Sequence, residues 1–229
     1  MQAIKIPGSF EADGFAVIEG VVSAEVRENL IEEFERLRGE LGGHSLRNVH
    51  VSPLVTQVAG GGVSNLIAQQ ILGSDARLVR AIFFDKVPGA NWSVPWHQDL
   101  TIAVKERSEV PGYGPWSLKD GVVHVQPPVS VLEAMVTIRI HLDNCFEDNG
   151  PVRVKAGSHL HGRIVESQME SWDGIEVSCV GGAGSVLVMR PLLLHASSPA
   201  SNPNHRRILH LEYAGYGLAV PLIWYLSSN

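Results

Sequence analysis

A chain of 229 residues, 45% of them apolar, is long enough for one domain with a sizeable core. Its formal charge of −6, with basic residues scattered in no run longer than Arg206-Arg207, argues against a nucleic-acid footprint, and no stretch reaches the length and apolarity of a membrane span. The N-terminus lacks the apolar stretch of a signal peptide and the only cysteines are Cys145 and Cys179, so two buried free thiols in a reduced, cytoplasmic enzyme are expected.

Residues 9–20 read as a short extended lead-in. Ser23 is a plausible N-cap for a helix whose apolar face is Val26, Leu30, Ile31, Phe34 and Leu37, with Gly39 or Gly42 as its stop. Residues 43–62 are loop-like and end in Gly60-Gly61-Gly62. A second helix is predicted over 63–72, with Val63, Leu66, Ile67 and Ile71 at helical spacing.

From residue 77 the texture changes. ARLVRAIFFDKVPG reads as a strand closed by Pro88-Gly89. Further strand-like runs are SVLEAMVTIRIHLD, GPVRVKAG, GIEVSCVG, GSVLVMRPLLLHA and RRILHLEYAG. Turn chemistry separates them, at Asp148-Asn149-Gly150, Gly157-Ser158, Asp173-Gly174, Gly181-Gly182 and Asn202-Pro203-Asn204. Short strands with regular turns predict an all-β sandwich or barrel. The reading is mainly β: a jelly roll over about 77–216 with a helical N-terminal part, about 1–75, packed on it, in a single domain spanning 1–229. Residues 103–130 are the longest irregular stretch, and a loop of that length often serves as a lid.

The chemistry concentrates in His97-Gln98-Asp99 and in His195. In extended chain, residues i and i+2 point to one side, so His97 and Asp99 can reach one ion while Gln98 points elsewhere. His195 ends the apolar run VLVMRPLLLH and opens the polar turn ASSPASNPN, a good place for a third ligand. Two histidines and a carboxylate match the facial triad that holds non-haem Fe(II) by one face and leaves the other open. Arg206, eleven residues after His195, then gains a role in pairing with the carboxylate of a chelating cosubstrate. Zinc on the same ligands is the competing reading, and the residues alone leave the two open.

These motifs belong to ordered blocks. FFDKVPGANWSVPWHQD resembles the K-x-P-G…W-H-Q-D signature of the phytanoyl-CoA dioxygenase family. IRIHLDNCFEDNGPVRVKAGSH resembles its next block, LLLHASSPASNPNHRRILHLEYA its last, and DGFAVIEGVVSAEVRENL its opening, so the resemblance covers roughly 12–216. It implies a double-stranded β-helix (jelly roll, cupin-like) and an Fe(II)- and 2-oxoglutarate-dependent oxygenase that uses O2. By motif position it implies His97, Asp99 and His195 as iron ligands and Arg206 as partner of the distal carboxylate of 2-oxoglutarate. Ser197 would be the hydrogen-bonding neighbour of that carboxylate, and Lys86 stands where members often carry a polar residue near the cosubstrate. Where the family usually has Pro before Gly, this chain has Ala156 before Gly157, which affects only a turn. Related halogenases replace the carboxylate ligand with a small residue; Asp99 therefore favours hydroxylation or desaturation.

Arginine suits the clamp because its planar, permanently charged fork binds carboxylate bidentately. Arg207 is the rival. Strand alternation puts Arg206 with Ile208, His210 and Glu212, and Arg207 with Leu209, Leu211 and Tyr213. For Lys86 the alternative is a snorkelling strand-edge lysine. Trp96 is either a pocket wall or a core aromatic. The long loop holds Tyr113, Trp116, Lys119, His124 and Gln126, of which Trp116 and His124 are the first candidates for substrate contacts. Arg139, on one side of its strand with Thr137 and His141, needs an anionic partner if buried: substrate, cosubstrate or Glu133. His159 and His161 read as structural or surface residues, and His210 faces the pocket if Arg206 does. The expected partner is a small molecule, neither nucleic acid nor membrane. A non-catalytic small-molecule binder on the same scaffold is the alternative to an enzyme.

Overall fold

A computed structural model describes residues 4–226. The lead-in over 9–20 is extended only in its second part, strand β1 (Phe15–Ile18); a one-turn helix α1 (Phe10–Asp13) precedes it. Ser23 caps α2 (Ala24–Leu41), its hydroxyl accepting from Val26 N at 3.3 Å, and the helix buries Leu30, Phe34 and Leu37. The stretch expected as loop over 43–62 instead holds β2 (Ser45–Arg47) and α3 (Pro53–Gly61). The glycines tolerate helix here because Ser52 caps it, Pro53 sits in its first turn, and Val55, Val58 and Ala59 are buried. Gly62 separates α3 from α4 (Val63–Leu72); a side chain there would collide with the Val58 carbonyl.

The strands follow: β3 (Arg77–Lys86), β4 (Val94–His97), β5 (Ile102–Val104), β6 (Trp116–Lys119) and β7 (Val122–Val125). After a short helix α5 (Val129–Glu133) come β8 (Met135–His141) and β9 (Val152–Lys155). Helix α6 (Glu166–Met169) leads into β10 (Glu176–Cys179), β11 (Val186–Met189), β12 (His195–Ser197) and β13 (Arg206–Ala214). The run expected as one strand over 130–143 thus starts as helix. It leaves Pro127-Pro128 as a turn of helix that buries Val131 and Leu132, and only then extends.

Two antiparallel sheets form the double-stranded β-helix. The larger has the order β1-β11-β8-β13-β3-β2 and the smaller β10-β9-β12-β4. Period-two alternation gives the large sheet two unlike faces. Leu209, Leu211 and Tyr213 of β13, Ala81 and Phe83 of β3, and Ile138 and Ile140 of β8 pack against Leu30, Phe34 and Ile67 of the helices. Burying each Leu, Ile or Phe contributes about 1.5–3 kcal/mol, so this layer secures the sheet and frees its other face to carry charge. At one end of the space between the sheets, Val152 and Val154 of β9 meet Leu187 and Met189 of β11 in an apolar plug.

Residues 103–130 are not one long loop. β5, β7 and β6 make a third, three-stranded sheet. Asp120 and Gly121 turn the β6–β7 hairpin with positive φ angles of 49° and 77°. Its tip is tied to the large sheet, where Arg47 Nε lies 2.8 Å from Asp120 Oδ2. Cys145 and Cys179 are free and buried. Among the described residues no helix is long and apolar enough to cross a membrane.

Candidate metal centre

His97 and His195 are cross-strand partners at the junction of β4 and β12, with ring centroids 4.1 Å apart. Each ring makes the same local bond: Nδ1 lies 2.9 Å from the carbonyl two residues upstream, Pro95 O and Leu193 O respectively. A carbonyl can only accept, so both Nδ1 atoms carry the proton and both Nε2 atoms keep a lone pair for a metal. Asp99 completes the set, with Oδ1 3.9 Å from His97 Nε2 and Oδ2 3.7 Å from His195 Nε2. The three donor atoms lie within 4.8 Å of one another and can hold one ion. Asp99 N donates to Pro191 O at 2.9 Å, which ties this ligand to the turn before β12.

Gln98 points away from the centre, as the spacing requires. Its amide donates to Gly162 O (2.8 Å) and Leu192 O (2.6 Å) and accepts from Ile164 N (2.9 Å). Electrostatics prepare the ligands. Burial alone pushes the Asp99 carboxyl up, but the positive potential of His195, His97, His210 and Arg80 outweighs it and holds the carboxyl down to about 2. Burial pushes His195 down to about 4, which favours the neutral imidazole that a metal needs.

A cavity of about 290 Å³ opens over these ligands. Arg206, buried at 4% exposure, lines it. Its guanidinium donates to the Gly150 carbonyl, and its Nε has no hydrogen-bond partner among the described residues. Gly150 is required there: φ is 71°, and a Cβ would stand 2.6 Å from Ser198 O. Lys86, opposite Arg206 across β3 and β13, donates to Ser197 Oγ (3.1 Å) and Ser198 O (2.8 Å). Desolvation, with help from Arg206 and Arg139, lowers the Lys86 ammonium to about 7. Lys86 is thus a buried residue, 1% exposed, and not a snorkelling one.

Arg207 leaves β13 on the other side. It forms a two-pronged pair with Asp143 (2.9 and 2.8 Å) and reaches Glu35 at 3.5 Å. Arg139 does line the cavity, but its partner is not Glu133. Arg139 donates to His210 Nδ1 at 3.0 Å, His210 Nε2 then donates to Glu212 at 3.2 Å, and Glu212 pairs with Arg80 at 2.9 Å. This row runs along the cavity floor, and burial lowers the Arg139 guanidinium to about 10. Arg139 Nε, like Arg206 Nε, is buried without a partner among the described residues. Two such orphaned donors beside a His-His-Asp cluster fit an anionic ligand that chelates the metal.

Trp116 and His124 do not line this cavity. Trp116 packs in the core beneath the third sheet, with the Arg107 guanidinium 5.6 Å from its ring centre, and His124 is buried with Nδ1 3.0 Å from Val122 O. Trp96 is a core aromatic on the outer side of the small sheet, under Lys155 at 4.8 Å. His159 bonds Glu11 O at 3.2 Å, and His161 stacks edge-on to Trp172 at 4.9 Å; both are structural. Sequence reasoning missed Arg47, Arg80, Thr101, Trp92 and Glu212 as cavity residues, and named Lys119 only as part of a loop. Counting by twos back from Lys86 reaches Arg80, and forward from Arg206 reaches Glu212.

No curated protein matches the sequence. Among solved structures, HygX from Streptomyces hygroscopicus, with nickel and 2-oxoglutarate bound, superposes with a TM-score of 0.66 at 16% identity, covering 90% of this chain and 84% of that one. EctD from S. alaskensis, with bound Fe, gives 0.71 at 20% identity over 96% of this chain and 81% of that one. SnoK, a non-heme α-ketoglutarate-dependent carbocyclase from nogalamycin biosynthesis, gives 0.66 at 17% over 90% and 81%. At such identities the likeness is one of fold. The family model of phytanoyl-CoA dioxygenase (PhyH) matches residues 10–208, a span that takes in the helical layer, all three potential ligands and Arg206. The chain therefore belongs to the phytanoyl-CoA dioxygenase family, a group of Fe(II)- and 2-oxoglutarate-dependent oxygenases.

Proposed function

We propose that this protein hydroxylates an unactivated C–H bond of a small molecule. One oxygen atom of O2 enters the product as hydroxyl; the other enters succinate as 2-oxoglutarate loses CO2. The observation that carries this reading is the convergence of His97, Asp99 and His195 with Arg206 on a single cavity.

His97 and His195 would bind Fe(II) through Nε2 and Asp99 through a carboxylate oxygen. Bound iron supplies the activation of dioxygen. Arg206 would grip the distal carboxylate of 2-oxoglutarate with its unpartnered Nε edge, Ser197 would add a hydroxyl, and Lys86 would add charge behind Ser197. Retention of a carboxylate at Asp99 supports hydroxylation, since it leaves no vacant ligand position for a halide. The cavity, at about 290 Å³ for cosubstrate and substrate together, supports a small substrate. Two free buried thiols support a reducing, cytoplasmic setting, with one oxygenase domain making up the chain.

The test is anaerobic addition of Fe(II) and then 2-oxoglutarate, watched for the weak visible charge-transfer band of the chelate. Absence of the band, with no consumption of 2-oxoglutarate in air, sinks the oxygenase reading. Once a substrate is found, a product that gains one oxygen supports hydroxylation; one that loses two hydrogens makes the enzyme a desaturase.

A further inference from the structure

The cavity carries more positive charge than its cosubstrate consumes. Arg47, Arg80, Lys119, Arg139 and Arg206 line it, against Asp99 and Glu212. The two charges of a divalent metal and those of 2-oxoglutarate cancel, so a cationic surplus persists in the loaded site. Arg206 and Arg139 lie toward Ser197, at the end proposed for the cosubstrate. The others gather at the opposite end, and each comes from a different element: Arg47 from β2, Arg80 from β3 and Lys119 from β6.

Those three cations are not equally committed. Arg80 is held by Glu212 at 2.9 Å, and Arg47 by the exposed Asp120 at 2.8 Å. Lys119 has no carboxylate within ion-pair distance among the described residues; its Nζ donates to the Thr101 hydroxyl at 2.9 Å. Burial lowers the Lys119 ammonium, and the nearby Arg80 and Arg47 lower it further, an unfavourable grouping that a bound anion would relieve.

Position gives this grouping a meaning. Thr101 lies two residues beyond the ligand Asp99, as Ser197 lies two residues beyond the ligand His195. Each hydroxyl accepts from a lysine, Lys119 on one side and Lys86 on the other. The candidate metal centre is thus bracketed by two lysine–hydroxyl pairs whose hydroxyls both line the cavity; Lys119 lines it too, while Lys86 lies buried behind Ser197. One is absorbed by the cosubstrate end.

We propose that the other is the substrate's anchor: the substrate is a small carboxylate whose anionic group binds Lys119 and Thr101, backed by Arg47 and Arg80. This rests on the oxygenase reading and narrows it. Because Thr101 is so close in chain to Asp99, the carbon that is oxidised lies only a few bonds from the carboxylate. A neutral molecule would leave Lys119 without an anionic partner in a confined site.

The experiment uses the Fe(II)-loaded protein with 2-oxoglutarate in air. Small carboxylic acids (amino acids, hydroxy acids, short-chain and aromatic acids) are each compared with their primary amides. Succinate release above the unstimulated rate is the readout. Acids should stimulate and their amides should not. For a stimulating acid, Lys119→Gln should raise KM at least about tenfold and Lys119→Arg should restore most of it. Stimulation by amides equal to that by acids, stimulation by no acid, or an unchanged KM in Lys119→Gln overturns the proposal. The chelate band keeps the two readings apart: a protein that shows the band but fails these comparisons loses the carboxylate anchor, whereas one without the band loses the oxygenase assignment itself.

Discussion

Arg206 and Arg207 are adjacent in sequence and serve opposite faces of strand β13. Arg206 lines the cavity with an unpartnered Nε, while Arg207 is saturated by Asp143 and Glu35 at the helical side. Their substitutions should therefore separate. Arg206→Ala should weaken 2-oxoglutarate by about 2–5 kcal/mol, read as the anaerobic titration of the chelate band, while Fe(II) still binds. Arg207→Ala should leave that titration unchanged and cost about 1–3 kcal/mol of stability in urea denaturation. The reverse pattern would move the clamp to Arg207.

The ligand assignment makes a second claim. His97→Ala, Asp99→Ala and His195→Ala should each reduce Fe(II) retention and 2-oxoglutarate turnover to background. Circular dichroism should stay that of the parent, because none of the three belongs to the apolar core beneath the helices. A variant that still retains iron at parental affinity removes its residue from the ligand set.

Gly150 offers a test of the backbone behind the clamp. It combines a φ of 71° with an approach that would put a Cβ 2.6 Å from Ser198 O, and its carbonyl receives Arg206. Gly150→Ala should cost about 1–3 kcal/mol of stability. It should also raise the 2-oxoglutarate Kd, since both Arg206 and Ser198 flank the displaced atoms. Thermal melting with and without 2-oxoglutarate reads both effects.

Lys86 gives the cosubstrate site a pH dependence. Its ammonium falls from 10.5 to about 7 on burial. Between those values the unfolded chain holds the proton and the folded chain does not, so this residue makes the cosubstrate-free protein less stable as pH falls below 10.5 through that window, and more stable as pH rises through it. Binding a dianion beside Lys86 favours the charged form. Above pH about 7 binding must therefore take up a proton, and affinity should decline as pH rises. Lys86→Met should bind 2-oxoglutarate more weakly at pH about 6.5 and lose this slope. Equal slopes in parent and variant would exclude Lys86 as the titrating group.

The grouping of His97, Asp99 and His195 was legible in the sequence because its logic is local. His97 and Asp99 share a side by alternation, and His195 sits where an apolar strand meets a polar turn. Helix α4 was legible for the same reason, its apolar spacing being uninterrupted. Helix α3 was not: three glycines at its end read as loop, and what holds it is burial of Val55, Val58 and Ala59, a tertiary fact. The β6–β7 hairpin hid in a polar segment, although Asp120-Gly121 is a turn signal. Trp116 and His124 were chosen for their chemistry; alternation along β6 puts Trp116 on the face opposite Lys119, and His124, though on the Lys119 face, is buried against Val122 O and does not line the cavity. The cavity's outer cations come from β2, β3 and β6, and no local pattern relates segments so far apart in sequence.

The two faces of the large sheet bear on how this scaffold changes over time. Positions 80, 82, 84, 139 and 210 border the cavity, whereas 81, 83, 138, 209 and 211 press on the helices. Substitutions in the first set alter what the cavity accepts and leave the helix-facing core intact. Substitutions in the second threaten folding and barely touch selectivity. Marginal stability, which limits most evolving enzymes, is thus largely uncoupled here from specificity. A lineage can sample new substrates one strand residue at a time without first acquiring compensating stability.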